Sequence, residues 1–256
     1  MNILAIGDVV GSIGCEFLRS KLSTIKRENA IDLVIANGEN SADGNGITPF
    51  SAKFLFDSGV DVITTGNHAF KRREIYSFFE NNPRLIRPSN FPANSTPGKG
   101  FCTVNVKNSQ VYIINLMGTV YIDNLLCPFR TIDKLLEKTT NLITLVDFHA
   151  EATSEKKALG FYLDGRISAL FGTHTHVPTA DETILPKGTG YVTDLGMTGV
   201  IHSCLGVKPE IVIRKFFTKM PMRFINAEGA CELDSVIFSI DEKSGKVNSV
   251  KRLLTI

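Results

Sequence analysis

The sequence predicts an α/β fold in which two mixed sheets pack face to face with helices outside. Three observations lead there. In the first third of the chain a short apolar run followed by a stretch of helical spacing recurs three times, the pattern of parallel strands joined by helices. After residue 176 the apolar runs are separated by Gly- and Pro-rich turns with little helical spacing, which suits mixed or antiparallel pairing. Polar clusters also fall repeatedly at the C-terminal ends of the apolar runs, where open α/β sheets place ligands.

Residues 2–6 are the first strand, ended by Gly7-Asp8-Val9-Val10-Gly11 with Asp8 at its C-terminal end. Phe17, Leu18, Leu22 and Ile25 share one face of a helix over 12–29. The strand 32–36 runs into Asn37-Gly38-Glu39-Asn40 and a polar loop through Gly46. Thr48 caps a helix that has Pro49 at its first position and reaches about residue 58. A strand over 61–64 ends in Thr65-Gly66-Asn67-His68, and 71–81 is expected to be helical. Pro, Asn and Gly make 85–100 a loop. Runs 101–106 and 110–115 flank Lys107-Asn108-Ser109 as a hairpin, 116–130 is irregular, and 131–138 is a short helix. A strand over 142–146 leads into Asp147-Phe148-His149-Ala150-Glu151. A helix covers 154–163, and Asp164-Gly165 turns into a strand over 166–171. Further strands are expected at 183–185, 190–193, 210–214, 235–239 and 247–254. No repeat, low-complexity segment or linker divides the chain. Residues 1–256 are expected to form a single domain, with 196–209 as a cover segment over the site.

A chain of 256 residues with 43% hydrophobic content can bury a sizeable core. The net charge of +2 gives no argument for a nucleic-acid or membrane surface. No apolar run approaches the ~20 residues of a membrane span. The N-terminus lacks a basic region and Asp8 interrupts its apolar run, so no signal peptide is expected. Cys15, Cys102, Cys127, Cys204 and Cys231 are odd in number, scattered and without a CxxC pair, which argues against disulfides and a thiolate zinc site. A reduced, cytoplasmic protein is expected.

The strand ends carry Asp8, Glu39 with Asn40, Asn67 with His68, His149, and His174 with His176. Side chains at i and i+2 of an extended segment point the same way, so the His174 and His176 imidazoles are expected to converge on one point. Each cluster alone has an ordinary explanation: a polar turn for Asp8, a loop for Glu39 and Asn40, a satisfied core histidine for His149. Their recurrence at strand ends favours ligation. Mixed oxygen and nitrogen donors without cysteine suit Fe, Mn, Co or Zn. The set is too large for one tetrahedral ion and matches two ions sharing a carboxylate, a device used to split phosphoesters. His149 lies beside Asp147 and Glu151, either of which could orient it. Lys71-Arg72-Arg73 reads as a solvated helix start, and His202 as surplus to the ligand set.

In order, Gly7-Asp8, Gly38-Glu39-Asn40, Gly66-Asn67-His68, His149 and Gly172-Thr173-His174-Thr175-His176 resemble the motifs of the calcineurin-like metallophosphoesterases. The chain is similar almost end to end to the YmdB-like branch. The matching stretches include Gly-Asp-Val-Val-Gly11, Asn-Gly-Glu-Asn40, Gly-Ile-Thr-Pro49, Thr-Gly-Asn-His68, Thr-Pro-Gly-Lys-Gly100, Cys-Pro-Phe-Arg130, Val-Asp-Phe-His-Ala-Glu-Ala-Thr-Ser-Glu155 and Asp-Leu-Gly-Met-Thr-Gly199. The resemblance implies a four-layer α-β-β-α sandwich and a centre of two metal ions, iron being expected and manganese the alternative. It implies a phosphodiesterase acting on 2′,3′-cyclic nucleotides, cutting the bond to the 2′ oxygen, and assembly into a homo-oligomer. Carried over residue by residue, Asp8, Asn40 and His176 hold one metal, Asn67, His149 and His174 hold the other, and Glu39 bridges. His68 is the general acid for attack by a hydroxide bridging the metals. Arg130, Asp194 and Thr198 lie in matching stretches as candidates to support the site or touch substrate; no residue is assigned to substrate binding.

The chain departs from the broad superfamily at Val10, where a His is expected, and at Glu39, which stands for a bridging Asp. It departs from the branch at Phe70-Lys71, where Trp-Asp is expected; Lys71 reverses a charge near His68. Two other functions compete. One is a metal-binding regulatory or scaffold protein with weak turnover, which the complete ligand set and His68 argue against and Lys71 leaves open. The other is a di-metal hydrolase of peptides or amides, which the order of the motifs disfavours.

Overall fold

The computed structural model describes residues 1–137 and 143–256. The chain begins with β1 (Asn2–Ile6), β2 (Asp8–Val9), α1 (Gly11–Glu28), β3 (Leu33–Asn37), α2 (Pro49–Asp57) and β4 (Val62–Thr64). A 3-10 turn over Arg73–Ile75 leads into α3 (Tyr76–Asn81), and β5 (Phe101–Val106) and β6 (Ser109–Met117) form the expected hairpin. Then come α4 (Pro128–Leu136), β7 (Ile143–His149), α5 (Thr153–Leu163) and β8 (Ala169–Thr173). The last part holds β9 (Thr183–Ile184), β10 (Gly190–Val192), β11 (Met197–Val200), α6 (Pro209–Thr218), β12 (Cys231–Ile240) and β13 (Val247–Thr255).

Two mixed sheets result. One has the order β2-β11-β12-β1-β3-β4, with β13 also paired to β12; the other has the order β5-β6-β7-β8-β10-β9. The strands β1, β3 and β4 run parallel in the first sheet, and β6, β7, β8 and β10 run parallel in the second. The period-2 alternation of each strand decides its two partners. Ile3, Ala5, Leu33 and Ile35 of the first sheet pack into one cluster with Val111, Ile113, Leu145 and Phe171 of the second. The intervening Leu4, Ile6, Val34 and Ala36 face Leu18, Leu22 and Leu55 of α1 and α2. Ile114, Val146 and Leu170 face Leu159 and Leu163 of α5. Each such fully buried aliphatic side chain contributes roughly 1.5–3 kcal/mol. The architecture is the four-layer α-β-β-α sandwich.

Local chemistry sets the helix starts. Thr48 Oγ1 accepts from Ser51 N–H at 3.1 Å while Ser51 Oγ accepts from Thr48 N–H at 3.0 Å, and Pro49 takes the first helical position where its missing N–H costs nothing. The largest departure from expectation is at 210–214, read as a strand and found inside α6. Its run of branched residues suggested extension. Pro209 at the start and the spacing of Val212 with Phe216 and Ile213 with Phe217 make it a helix. Residues 116 and 117, read as irregular, extend β6, and 128–130 open α4. The short strands β2 and β11, which pair with each other, were not anticipated. Residue 138, the expected end of a helix, and residue 142, the expected start of a strand, lie outside the described residues. Within 196–209, Met197–Val200 is a buried sheet strand, whereas Cys204, Leu205 and Val207 line a pocket. All five cysteines are free. Among the described residues no helix is long and apolar enough to cross a membrane.

Candidate metal centre

The C-terminal ends of β1, β3, β4, β7 and β8 lie side by side, and their polar residues meet there. Asp8, Glu39, Asn40, Asn67, His149, His174 and His176 form one connected cluster, with His68 at its edge. His149 Nε2 lies 3.1 Å from Glu39 Oε1, 2.9 Å from Asn67 Oδ1 and 3.0 Å from His174 Nδ1. Ligand atoms of Glu39, His149 and His174 all lie within 4.8 Å of one another, close enough to hold one metal ion. On the other side of Glu39, His176 Nε2 is 3.5 Å from Asp8 Oδ1 and 3.2 Å from Asn40 Nδ2.

His174 and His176 do not converge as an extended pair would. The strand ends at Thr173, and the two histidines take left-handed φ values of 102° and 62°. The turn sends His174 toward His149 and His176 toward Asp8. Such a backbone costs of order 1–3 kcal/mol per residue and persists only where the surroundings enforce it. Asp8 Oδ2 accepts His174 N–H at 3.1 Å, and Asp194 Oδ2 accepts Thr175 N–H at 3.2 Å.

Outer hydrogen bonds assign the imidazole protons. Thr173 Oγ1 donates to Asp147 Oδ1 at 2.7 Å, so it accepts from His149 Nδ1–H at 2.9 Å. Asp147 therefore orients His149 through Thr173, while Glu151 takes His174 Nε2–H at 3.0 Å. His176 Nδ1–H donates to Leu205 O at 3.3 Å. Each ring thus turns one nitrogen outward to an oxygen acceptor and the other inward: His149 Nε2 toward Glu39 and Asn67, His174 Nδ1 toward His149, and His176 Nε2 toward Asp8. An outer nitrogen fixed by an acceptor and an inner one turned to the cluster is the arrangement that metal-ligating histidines adopt. Beside Asp8 and His176, Asn40 Nδ2 donates to Asp8 Oδ1 at 3.3 Å.

The electrostatics follow. Burial would raise the Asp8 carboxyl, but His176 and His149 hold it well below the usual carboxylate range. Burial likewise opposes the ionised Glu39, and His149 with His68 pulls it down. His149 is disfavoured as a cation by burial, yet Glu39, Asp8 and Asp147 bring it up to about 9. His174 is pushed down to about 4 by burial and by His149. His68 donates Nδ1–H to Asn40 Oδ1 at 2.8 Å, which leaves Nε2 as the atom able to carry a second proton. Its backbone N–H donates to Glu39 Oε2 at 2.8 Å. Burial lowers its pKa, Glu39 opposes that, and Lys71 adds to it.

Among the other candidates, Asp194 is buried against Lys156 and supports the Thr175 turn. Thr198 is buried in β11, and Arg130 and His202 are exposed; none of the three lines the pocket beside the cluster. Two supporting residues escaped the sequence reading. Asn37, the last residue of β3, donates to Thr173 Oγ1 at 3.3 Å and accepts Glu39 N–H at 3.1 Å. Lys156 donates to Thr173 O at 2.9 Å. A carboxamide closing an apolar strand was the available signal for Asn37; Lys156 had none.

A four-layer sandwich with carboxylates, carboxamides and imidazoles gathered at its strand ends defines an enzyme of the metallophosphoesterase class. The chain belongs to the YmdB-like protein family, whose sequence model matches residues 4–253. It is 46% identical over 257 residues to the 2′,3′-cyclic-nucleotide 2′-phosphodiesterase of Bacillus subtilis strain 168, covering 99% of this chain and 97% of that one. The crystal structure of a hypothetical protein from Thermus thermophilus superposes with a TM-score of 0.94 at 42% identity, covering 100% of this chain and 99% of the other. That of a novel phosphatase from Mycoplasma pneumoniae also gives 0.94, at 33% identity, covering 100% and 93%.

Proposed function

We propose that this chain is a two-metal phosphodiesterase that opens 2′,3′-cyclic nucleotides at the 2′ P–O bond. The observation that carries the reading is the inward set of ring nitrogens on His149, His174 and His176 gathered with Glu39, Asn67 and Asp8. The name of the Bacillus subtilis relative supports the substrate class. Asn67, His149 and His174 would hold one ion and Asp8, Asn40 and His176 the other, with Glu39 shared. Iron or manganese suits these donors. Such ions, when bound, make hydroxide available at neutral pH and offset negative charge on the phosphoryl oxygens.

The chain's own residues supply the rest. Hydroxide adds to phosphorus as the P–O2′ bond breaks, and the electron pair leaves on O2′. His68, in the pocket beside the cluster, gives its Nε2 proton to that oxygen. A phosphodiester anion in the pocket adds the negative charge that favours the imidazolium against burial. The product is a nucleoside 3′-monophosphate, and His68 regains its proton from water. The exposed Ile213 and Phe217 on α6 agree with assembly into a homo-oligomer.

The test is metal content together with 2′,3′-cyclic AMP hydrolysis for wild type and His68→Ala. About two metals per chain are expected. The variant should keep them and lose roughly 10²–10⁴-fold in turnover. No metal after anaerobic reconstitution with iron or manganese would refute the ligand set. Two metals without turnover of any phosphodiester would favour a regulatory scaffold.

A further inference from the structure

The cluster opens into a cavity of about 450 Å³ with a mixed lining. Glu39, Asn40, His68, His174 and His176 supply polar walls, and Leu205, Val207, Val212, Phe216 and Phe224 supply apolar ones. The two meet where His176 Nδ1–H donates to Leu205 O at 3.3 Å. We infer that the apolar wall is a nucleobase subsite, in which Phe216 and Phe224 carry the base of a nucleotide whose phosphodiester lies beside His68. The inference rests on the phosphodiesterase reading and deepens it by assigning the residues that recognise the nucleoside.

Volume and polarity favour this occupant. The cavity falls in the ~300–1,000 Å³ range of small-molecule sites. With the ions of the proposed function bound, the polar wall would take an anion, and the apolar wall suits a ring system; a nucleotide carries both. The wall is tied in place rather than draped. Val207 and Asn226 form a bridge pair, Ala227 N–H donates to Gly206 O at 2.8 Å, and Lys208 N–H donates to Ile225 O at 3.0 Å. Asn226 Nδ2 donates to Asp43 Oδ1 at 3.2 Å, joining the Phe224 segment to the loop that carries Asn45. That loop is held by Arg72, whose Nη2 donates to Asp43 O at 2.7 Å and whose Nε donates to Asn45 O at 3.1 Å. Lys215 Nζ lies 4.6 Å from the Phe224 ring centroid, a cation–π contact that steadies the ring.

Val212 and Phe216 are one turn apart on α6 and line the cavity. Ile213 and Phe217, on the neighbouring stripe, do not line it. Stacking on aromatic rings accepts every base, so weak discrimination among bases is expected.

The experiment compares 2′,3′-cyclic AMP with methyl riboside 2′,3′-cyclic phosphate, which has the same reacting diester and no base. Wild type, Phe216→Ala, Phe224→Ala and the control Phe217→Ala are each metal-loaded. Wild type should favour the nucleotide by roughly tenfold or more in kcat/KM. Each pocket variant should lose roughly five- to tenfold on the nucleotide, chiefly through KM, and nothing on the base-free diester. Phe217→Ala should match wild type on both. Both pocket rings are exposed, Phe216 at 65% and Phe224 at 40%, so truncation leaves the core intact, and thermal unfolding of each variant checks this. Equal losses on both substrates would overturn the subsite in favour of a purely shaping role. So would intact base discrimination in variants whose sedimentation mass falls, which would make the wall an interface between copies. Wild type that turns over both substrates equally overturns the subsite and leaves the phosphodiesterase reading standing; wild type that turns over neither overturns both.

Discussion

Lys156 Nζ lies 2.5 Å from Asp194 Oδ2, and both side chains are buried beneath the turn that carries His174 and His176. The same ammonium donates to Thr173 O, and the same carboxylate accepts Thr175 N–H. One ion pair therefore grips the residues on either side of His174. Lys156→Met leaves a carboxylate buried and unpaired, and should cost about 3–5 kcal/mol. A lower urea midpoint accompanied by loss of bound metal is the expected result. An unchanged midpoint would show that the pair carries no structural weight.

Gly66 is required by close approach. A Cβ there would sit 2.1 Å from His149 Cδ2 and 2.2 Å from its Nε2. The ring cannot retreat, because Thr173 Oγ1 and Asn37 Nδ2 stand 2.9 and 3.3 Å behind its Nδ1. Gly66→Ala should therefore displace His149 sideways. A misplacement of about 1 Å costs on the order of 10²-fold in turnover. Metal content and steady-state rates measure both effects; full metal occupancy with wild-type rates would refute the steric account.

Thr173 relays the Asp147 carboxylate to His149. Thr173→Val keeps the shape and the strand preference and removes the relay. Metal affinity should fall by about 10–100-fold, as for other outer partners of ligating histidines. Titration with manganese, followed by calorimetry, reads this directly. Thr173→Ser, which restores the hydroxyl, should recover most of it.

The residues that meet in the cluster were legible because each closes an apolar run, and polar residues at the C-terminal ends of neighbouring strands come together. Asp8, Glu39, Asn67, His149 and His174 could be read that way without knowing how the strands pair. The fold class followed from the same alternation, since Ile3 and Leu4 must face opposite layers. What failed was local or long-range. His174 and His176 were read as extended, but the backbone turns left-handed after Thr173 because tertiary contacts to Asp8 and Asp194 outweigh its intrinsic preference. The run Ile211-Val212-Ile213 has strand-forming side chains, and only Pro209 and the phenylalanines one turn on reveal a helix. Lys156 looks like any surface lysine of an amphipathic helix until Asp194, 38 residues away, is brought beside it.

Asp234 offers a stability test of its own, since its carboxyl sits beneath the β2–β11 pairing, accepting the N–H of Met197, the register partner of Asp8. Burial pushes its carboxyl from 3.8 up to about 6, with the Met197 N–H it accepts at 3.3 Å opposing the rise. Below both values the group is neutral in folded and unfolded chains and contributes nothing. Between about 4 and 6 the unfolded chain releases the proton while the folded chain retains it, so stability falls as pH rises through this window. Above it the penalty is constant, at about 1–2 kcal/mol once relaxation around the buried carboxylate is allowed for. Asp234→Asn keeps an acceptor for Met197 N–H and removes the charge. It should match wild type at pH 4 and exceed it by about 1–2 kcal/mol at pH 7. Urea unfolding at the two pH values decides the matter: a variant less stable than wild type at pH 7 would mean that the ionised carboxylate is favourably held there.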